Sequence, residues 1–344
     1  MPVHPLLTAM LVMDMLVLLL LTGAAVCAFR VVLNWSPGDT GQAQLRLQAR
    51  QEAWSLATSI AVWTYLASGL LLIAILSNIL PGRVPGAMCG TGVLQACRPD
   101  GYRMLLLRFL GSVGLFCWHR LETLNRGAPL APLTAVNARV LLAILPIVCL
   151  GYGATFQALT GLDTSRPVDC CTALYDRVGP AATAEAAILF SRRAALWLFA
   201  VTSVGLPLLV LTRGPSIPGR VSRSDLLPVL AAVWLFSGTV ALVRVWAPYH
   251  YEVLHHFCPW CLFLPEHRGV GFPLLIFLGL VAFEAPALWA ITRARSRYGH
   301  LLPGDTALAA RCSRHLIIGV LGFALLAAGP ALWWRWQFGT WITS

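Results

Sequence analysis

Seven apolar stretches, at about 6–29, 54–80, 139–161, 193–212, 226–247, 270–292 and 315–334, each run for roughly twenty residues with few or no charges. A bilayer core about 30 Å thick is crossed by a helix of about 20 such residues, because only a helix satisfies its own backbone donors and acceptors inside hydrocarbon. Each stretch therefore predicts a transmembrane helix. An eighth candidate, 104–118, is short, contains Arg108 and is flanked by Arg103 and Arg120, so it fits an interfacial or re-entrant helix as well as a crossing. The first stretch carries a positive charge only at its far end and has no small-residue cleavage site, which reads as a retained helix and not a signal peptide. The expected fold class is all-α, a polytopic membrane helical bundle of seven or eight transmembrane helices.

Composition agrees with this reading. Of the 344 residues 58% are apolar and 11% are charged, against roughly 25% charged in a soluble domain. The mean hydropathy is +0.73. Soluble globular, disordered, collagenous and nucleic-acid-binding classes are excluded, and membrane lipid is the first expected partner. All 25 basic residues are Arg, and the net charge is +11. Arg293, Arg295, Arg297, Arg311 and Arg314 follow one apolar stretch and Arg213, Arg220 and Arg223 follow another, which places both loops on the cytoplasmic side. The intervening segments 162–192, with Asp163, Asp169, Asp176 and Glu185, and 248–269 then face outward. The side occupied by 81–103 depends on whether 104–118 crosses. The chain divides into an N-terminal membrane region (1–138), a central four-helix segment (139–295), and an Arg-rich cytoplasmic loop with a last transmembrane helix (296–344). The expected location is a cell inner membrane.

Ten cysteines punctuate this framework. Cys27, Cys117 and Cys149 lie within apolar runs and read as small packing residues. Cys312 sits in an Arg-rich loop. The others form three groups: Cys89 with Cys97, the adjacent Cys170 and Cys171, and the run Cys258-Pro259-Trp260-Cys261. Two cysteines separated by two residues at the start of a helix can close a small disulfide ring, and helix amide dipoles stabilise the leading thiolate. Cys258 holds that leading position. His255, His256 and His267 flank the pair, so a four-ligand zinc or copper site is a second reading and a static disulfide is a third. Haem attachment is disfavoured because Leu262, not His, follows the second cysteine. Cys170 and Cys171 face the same compartment as the CPWC run, as dithiol exchange requires.

The stretch from Tyr251 to Leu262, with Glu252, His255, His256 and CPWC, resembles the entrance to the fourth helix of bacterial vitamin K epoxide reductase homologues. The order of elements over about 139–295 is also similar, with an outward loop carrying Asp169-Cys170-Cys171 before the CPWC helix. The resemblance implies that exported protein thiols or a thioredoxin-like partner deliver electrons to Cys170 or Cys171. From there they would pass to Cys258 and Cys261, with Cys261 facing a membrane quinone. Cys89 and Cys97 show the seven-residue spacing of that family's loop pair but lie earlier in the chain; facing outward, they would be an extra shuttle pair.

Charges inside apolar stretches are costly and mark structure or function. Asp14 and Glu284 read as interhelical contacts or proton-handling groups. Arg244 ends its helix on the CPWC side, where a guanidinium can stabilise a thiolate or a quinone oxygen. Glu252, His255 and His256 are candidates for proton transfer to quinone. Trp333, Trp334, Trp336 and Trp341 suggest an aromatic belt. Two functions follow. One is a quinone-coupled thiol:disulfide oxidoreductase, with no metal in the site. The other is a non-catalytic subunit or anchor of a larger membrane complex, with structural or metal-binding cysteines.

Overall fold

The computed structural model describes residues 4–36, 41–97, 99–128, 131–168, 191–212, 225–253, 256–302 and 306–341. Among them there is no strand, and eight helices are long and apolar enough to cross a membrane. These are α1 (Pro5–Asn34), α2 (Gln42–Ile79), α4 (Asp100–Arg126), α5 (Thr134–Thr160), α6 (Arg192–Leu211), α7 (Leu226–Tyr251), α8 (Gly271–Tyr298) and α9 (Ala307–Phe338). A short helix, α3 (Gly90–Ala96), lies between α2 and α4. The protein is thus an all-α polytopic bundle. The sequence left 104–118 open between a short surface helix and a crossing; in the structure it is the centre of the 27-residue α4, long enough to span.

The chain forms two compact units, whose boundaries follow contacts and not the order of segments along the chain. The first holds Met1–Ile75, Cys97–Leu162 and Pro286–Ala309. In it α1 packs on α2 and α5, and α4 packs on α5 and α2. The buried positions of α1 (Met10, Asp14, Val17, Leu21, Ala24, Ala28, Val31) recur every three or four residues, so one stripe faces its neighbours. Its outer face stays apolar, as Leu19 and Phe29 show, because the surroundings there are lipid tails and not water. Val17, Leu21, Val62, Tyr65, Leu115, Trp118, Leu141 and Val148 meet in a common core.

Within that core sits a buried ion pair. Arg108 on α4 donates from Nη1 to Asp14 Oδ1 on α1 at 3.2 Å and from Nη2 to Asp14 Oδ2. Its remaining donors reach Ser68 Oγ of α2 at 3.1 Å and Thr155 Oγ1 of α5 at 3.2 Å. The rings of Tyr152 and Tyr65 lie 4.7 and 5.5 Å from the guanidinium carbon. Arg108, the residue that made α4 look unsuited to a crossing, is therefore neutralised and hydrogen-bonded by three neighbouring helices. That offsets its desolvation.

The second unit holds Leu76–Ala96, Asp163–Ala285 and Ala310–Ser344. Helices α6 and α7 pack together, and Phe199, Trp234, Trp246 and Phe323 interlock edge-to-face or tilted with centroids 5.0–5.9 Å apart. Gly319 and Gly322 let α9 approach α8: a methyl group on Gly319 would stand 3.0 Å from the Phe277 carbonyl, and one on Gly322 would lie 2.3 Å from the Phe277 ring. Close approach through small residues is how membrane helices gain van der Waals contact without a hydrophobic driving force. Next to this seam, His315 Nδ1 of α9 lies 2.8 Å from the buried Glu284 Oε1 of α8. Glu284 thus makes the interhelical contact that was one of its two expected roles.

Candidate functional site

Two loops of the second unit build the site. The first leaves α2, whose last turn, Ile75–Ile79, is a π turn; such turns relax the helix ladder and often precede functional loops. The chain then makes a 3-10 turn at Pro81–Arg83 and bends at Gly86, where φ is +79° and an added methyl would lie 2.6 Å from the Val168 carbonyl. Only glycine fits that bend. Val168 N–H donates to the Pro85 carbonyl at 3.0 Å, tying the 163–168 segment to the loop. Cys89 follows, and its carbonyl accepts the Gly92 N–H at the start of α3.

The second loop leaves α7, which also contains a π turn, Leu242–Trp246, and ends at Glu252 in the left-handed region with φ 56°. The chain returns to Cys258, which caps a 3-10 turn, Pro259–Phe263. The sequence places CPWC at a helix entrance, ahead of the stretch 270–292. In the structure Pro265 starts a second 3-10 turn, and Arg268 and Gly269 both have positive φ, so α8 begins only at Gly271. Cys258 thus sits on a single 3-10 turn, one of whose first amides belongs to Pro259 and has no N–H to offer the sulfur.

The two loops meet at their cysteines. Cys89 Sγ lies 3.4 Å from Cys258 Sγ, and the sulfurs of Cys89, Cys258 and Cys261 all lie within 4.8 Å of one another. Cys89 and Cys258 are 0% exposed and Cys261 is 6% exposed. The Thr91 hydroxyl is 3.4 Å from Cys258 Sγ. Gly90 is what allows the approach, since a methyl there would stand 2.3 Å from the Trp260 ring. The Tyr251 hydroxyl donates to the Cys258 carbonyl, and Asn78 Nδ2 donates to the Phe263 carbonyl at 3.4 Å, so both ends of the CPWC turn are pinned. The rings of His267 and His256 pack against Tyr251 at centroid distances of 4.5 and 4.8 Å. Burial, with the neighbouring His256, holds His267 below the ordinary histidine range.

Of the residues singled out in the sequence, Cys258 and Cys261 are in this cluster. Arg244 is half-buried in the π turn of α7, Glu252 is exposed, and His256 is half-buried against Tyr251. Cys170, Cys171 and His255 lie outside the described residues. From sequence Cys89 is an extra shuttle thiol only if its loop faces outward; the structure brings it into the centre of the cluster. The signal was the crossing parity: once α4 spans, eight successive crossings return the loops after α2 and α7 to one side. Cys97, its spacing partner, is buried in the turn before α4, and burial with the Asp100 carboxylate pushes its thiol up to about 11.

No family model, curated protein or solved structure matches the chain. Three buried, mutually close thiols on two short turns can exchange disulfides among themselves or hold a thiophilic ion. Both chemistries follow from the donor set alone.

Proposed function

We propose that this multi-pass membrane protein is a thiol:disulfide oxidoreductase of a bacterial-type inner membrane, passing electrons from exported protein thiols through Cys89, Cys258 and Cys261 to a membrane quinone. The observation that carries the reading is the 3.4 Å separation of Cys89 and Cys258 sulfurs beside Cys261. Disulfide exchange needs a thiolate next to a disulfide sulfur, and Cys258 has a potential partner on either side. The Cys89 thiolate attacks Cys258 Sγ of a Cys258–Cys261 disulfide, forming a Cys89–Cys258 bond and releasing the Cys261 thiolate. A thiol of Cys170 or Cys171 then attacks Cys89 and frees Cys258, and two thiols of the exported substrate attack in turn, releasing Cys89 and then the loop cysteine as the substrate disulfide forms. Two electrons and two protons have now passed to Cys258 and Cys261. A membrane quinone held by Arg244, Glu252, His255 and His256 would accept those two electrons and two protons and so restore the Cys258–Cys261 disulfide. In this scheme Cys170 and Cys171 carry electrons from the substrate to Cys89, and Arg244, Glu252, His255 and His256 serve the quinone and its protons.

Orientation supports the reading. With eight crossings, Arg30, Arg46, Arg50, Arg120 and Arg126 fall on the same side as the Arg-rich 213–225 and 293–314 loops, leaving the cysteine turns on the opposite, oxidising side. The test is thiol trapping with a mass-tagging maleimide in membranes. Cys258 and Cys261 are expected to be reduced when quinone is depleted and oxidised when it is restored. Cys261→Ser, which lacks the resolving thiol, is expected to accumulate a Cys89–Cys258 disulfide. A pair fixed in one redox state, with no such linkage in the variant, overturns the proposal.

A further inference from the structure

The same three sulfurs have a property that does not depend on their cycling. We infer that, when reduced, Cys89, Cys258 and Cys261 form a three-coordinate site for one soft d10 metal ion, Cu(I). An ion bonded to three thiolates at about 2.3 Å in a plane holds them about 4.0 Å apart. The observed separations, 3.4 Å for Cys89 and Cys258 and no more than 4.8 Å for any pair, bracket that value. Small side-chain shifts suffice to close the site.

The donor set decides the ion. Among the described residues the group of ligating atoms consists of three sulfurs and no imidazole or carboxylate, since His256 and His267 pack on Tyr251 instead. Zinc in structural sites takes four ligands in a tetrahedron, so a set of three thiolates suits Cu(I), one of the ions that soft sulfur donors select. The setting suits a pre-formed site. All three cysteines are buried, the CPWC turn is pinned by Tyr251 and Asn78, and the Thr91 hydroxyl lies within reach of Cys258 Sγ, where it can donate to a thiolate. No redox step is involved: the thiols lose protons to solvent as the ion binds. Bound Cu(I) occupies the sulfurs that the proposed relay needs, so it halts disulfide formation there.

The experiment titrates the full chain in detergent, reduced with a phosphine, with Cu(I) held by a chromophoric chelator. One Cu(I) per chain is expected to leave the chelator, with an X-ray absorption shell of three sulfurs at about 2.3 Å. Cys89→Ser, Cys258→Ser and Cys261→Ser are each expected to weaken capture by at least tenfold, and Cys27→Ser and Cys149→Ser to leave it unchanged. A second arm needs no variant: wild-type protein oxidised with diamide is expected to lose the site and regain it on reduction. A shell containing nitrogen, equal capture of Zn(II), a requirement for Cys170 or Cys171, or capture that survives oxidation each overturns the inference. Thiol trapping across quinone depletion is scored separately, so failure of the relay and failure of the metal site are read from different measurements.

Discussion

Replacing Asp14 by Leu removes the anion from a guanidinium that is 4% exposed in the middle of the first unit. Arg108 keeps its contacts with Ser68 and Thr155 but loses two charge-assisted hydrogen bonds. Hydrogen bonds involving charged groups contribute about 1.5–3 kcal/mol each, and breaking a buried pair by deleting one partner costs about 3–5 kcal/mol. Neutral interhelical hydrogen bonds in membranes average only about 0.6 kcal/mol. The expected loss of about 4 kcal/mol, roughly a thousandfold in the folding equilibrium, therefore separates an ion pair from an ordinary polar contact. Unfolding of the purified protein in mixed micelles, with Asp14→Leu, Arg108→Leu and the double variant, measures it as a double-mutant cycle. The double variant is expected to be more stable than either single one, because no uncompensated charge remains. If Asp14→Leu costs less than about 1 kcal/mol, or if the two changes simply add, the pair does not stabilise the bundle and the account of why α4 can span is wrong.

Gly322→Leu is expected to force the Phe277 ring away from α9 and lower thermal stability in detergent by an overpacking cost on the order of 1–3 kcal/mol, read by scanning fluorimetry. Gly90→Val should push Trp260 aside and reduce the Cys89–Cys258 disulfide trapped in the Cys261→Ser background several-fold on a non-reducing gel. Because His267 is held below the ordinary histidine pKa by burial first and His256 second, its neutral form favours the folded state. Its contribution is full above that ordinary value and is lost as pH falls through the lowered one, so melting temperature should drop on acidification below about 6.5, with a smaller drop in His267→Gln. Cys97, with its thiol pushed up to about 11, should react with maleimide at pH 8 at least a hundredfold more slowly than an ordinary thiol of pKa about 8.5, and accelerate as pH approaches 11.

The helical membrane class is legible in the sequence, because twenty apolar residues in a row is a local property and hydrocarbon admits only helices or closed barrels. The sequence also marks Asp14, Arg244 and Glu284 as costly and CPWC as reactive, since the cost of burying a charge and the chemistry of a CxxC pair are set by residue type. Partnership was not legible. Arg108 looks like a reason for 104–118 to stay at the surface until Asp14, 94 positions away, is seen to neutralise it. Cys89 and Cys258 are 169 positions apart, and nothing in either neighbourhood encodes the other. The turn geometry was hidden too. CPWC reads as the start of a long helix, but the pair of positive-φ residues at Arg268 and Gly269 detaches it onto a turn of its own. Composition and spacing fix what each segment is stable as; which side chains meet depends on how the helices pack, a non-local outcome that no single segment encodes.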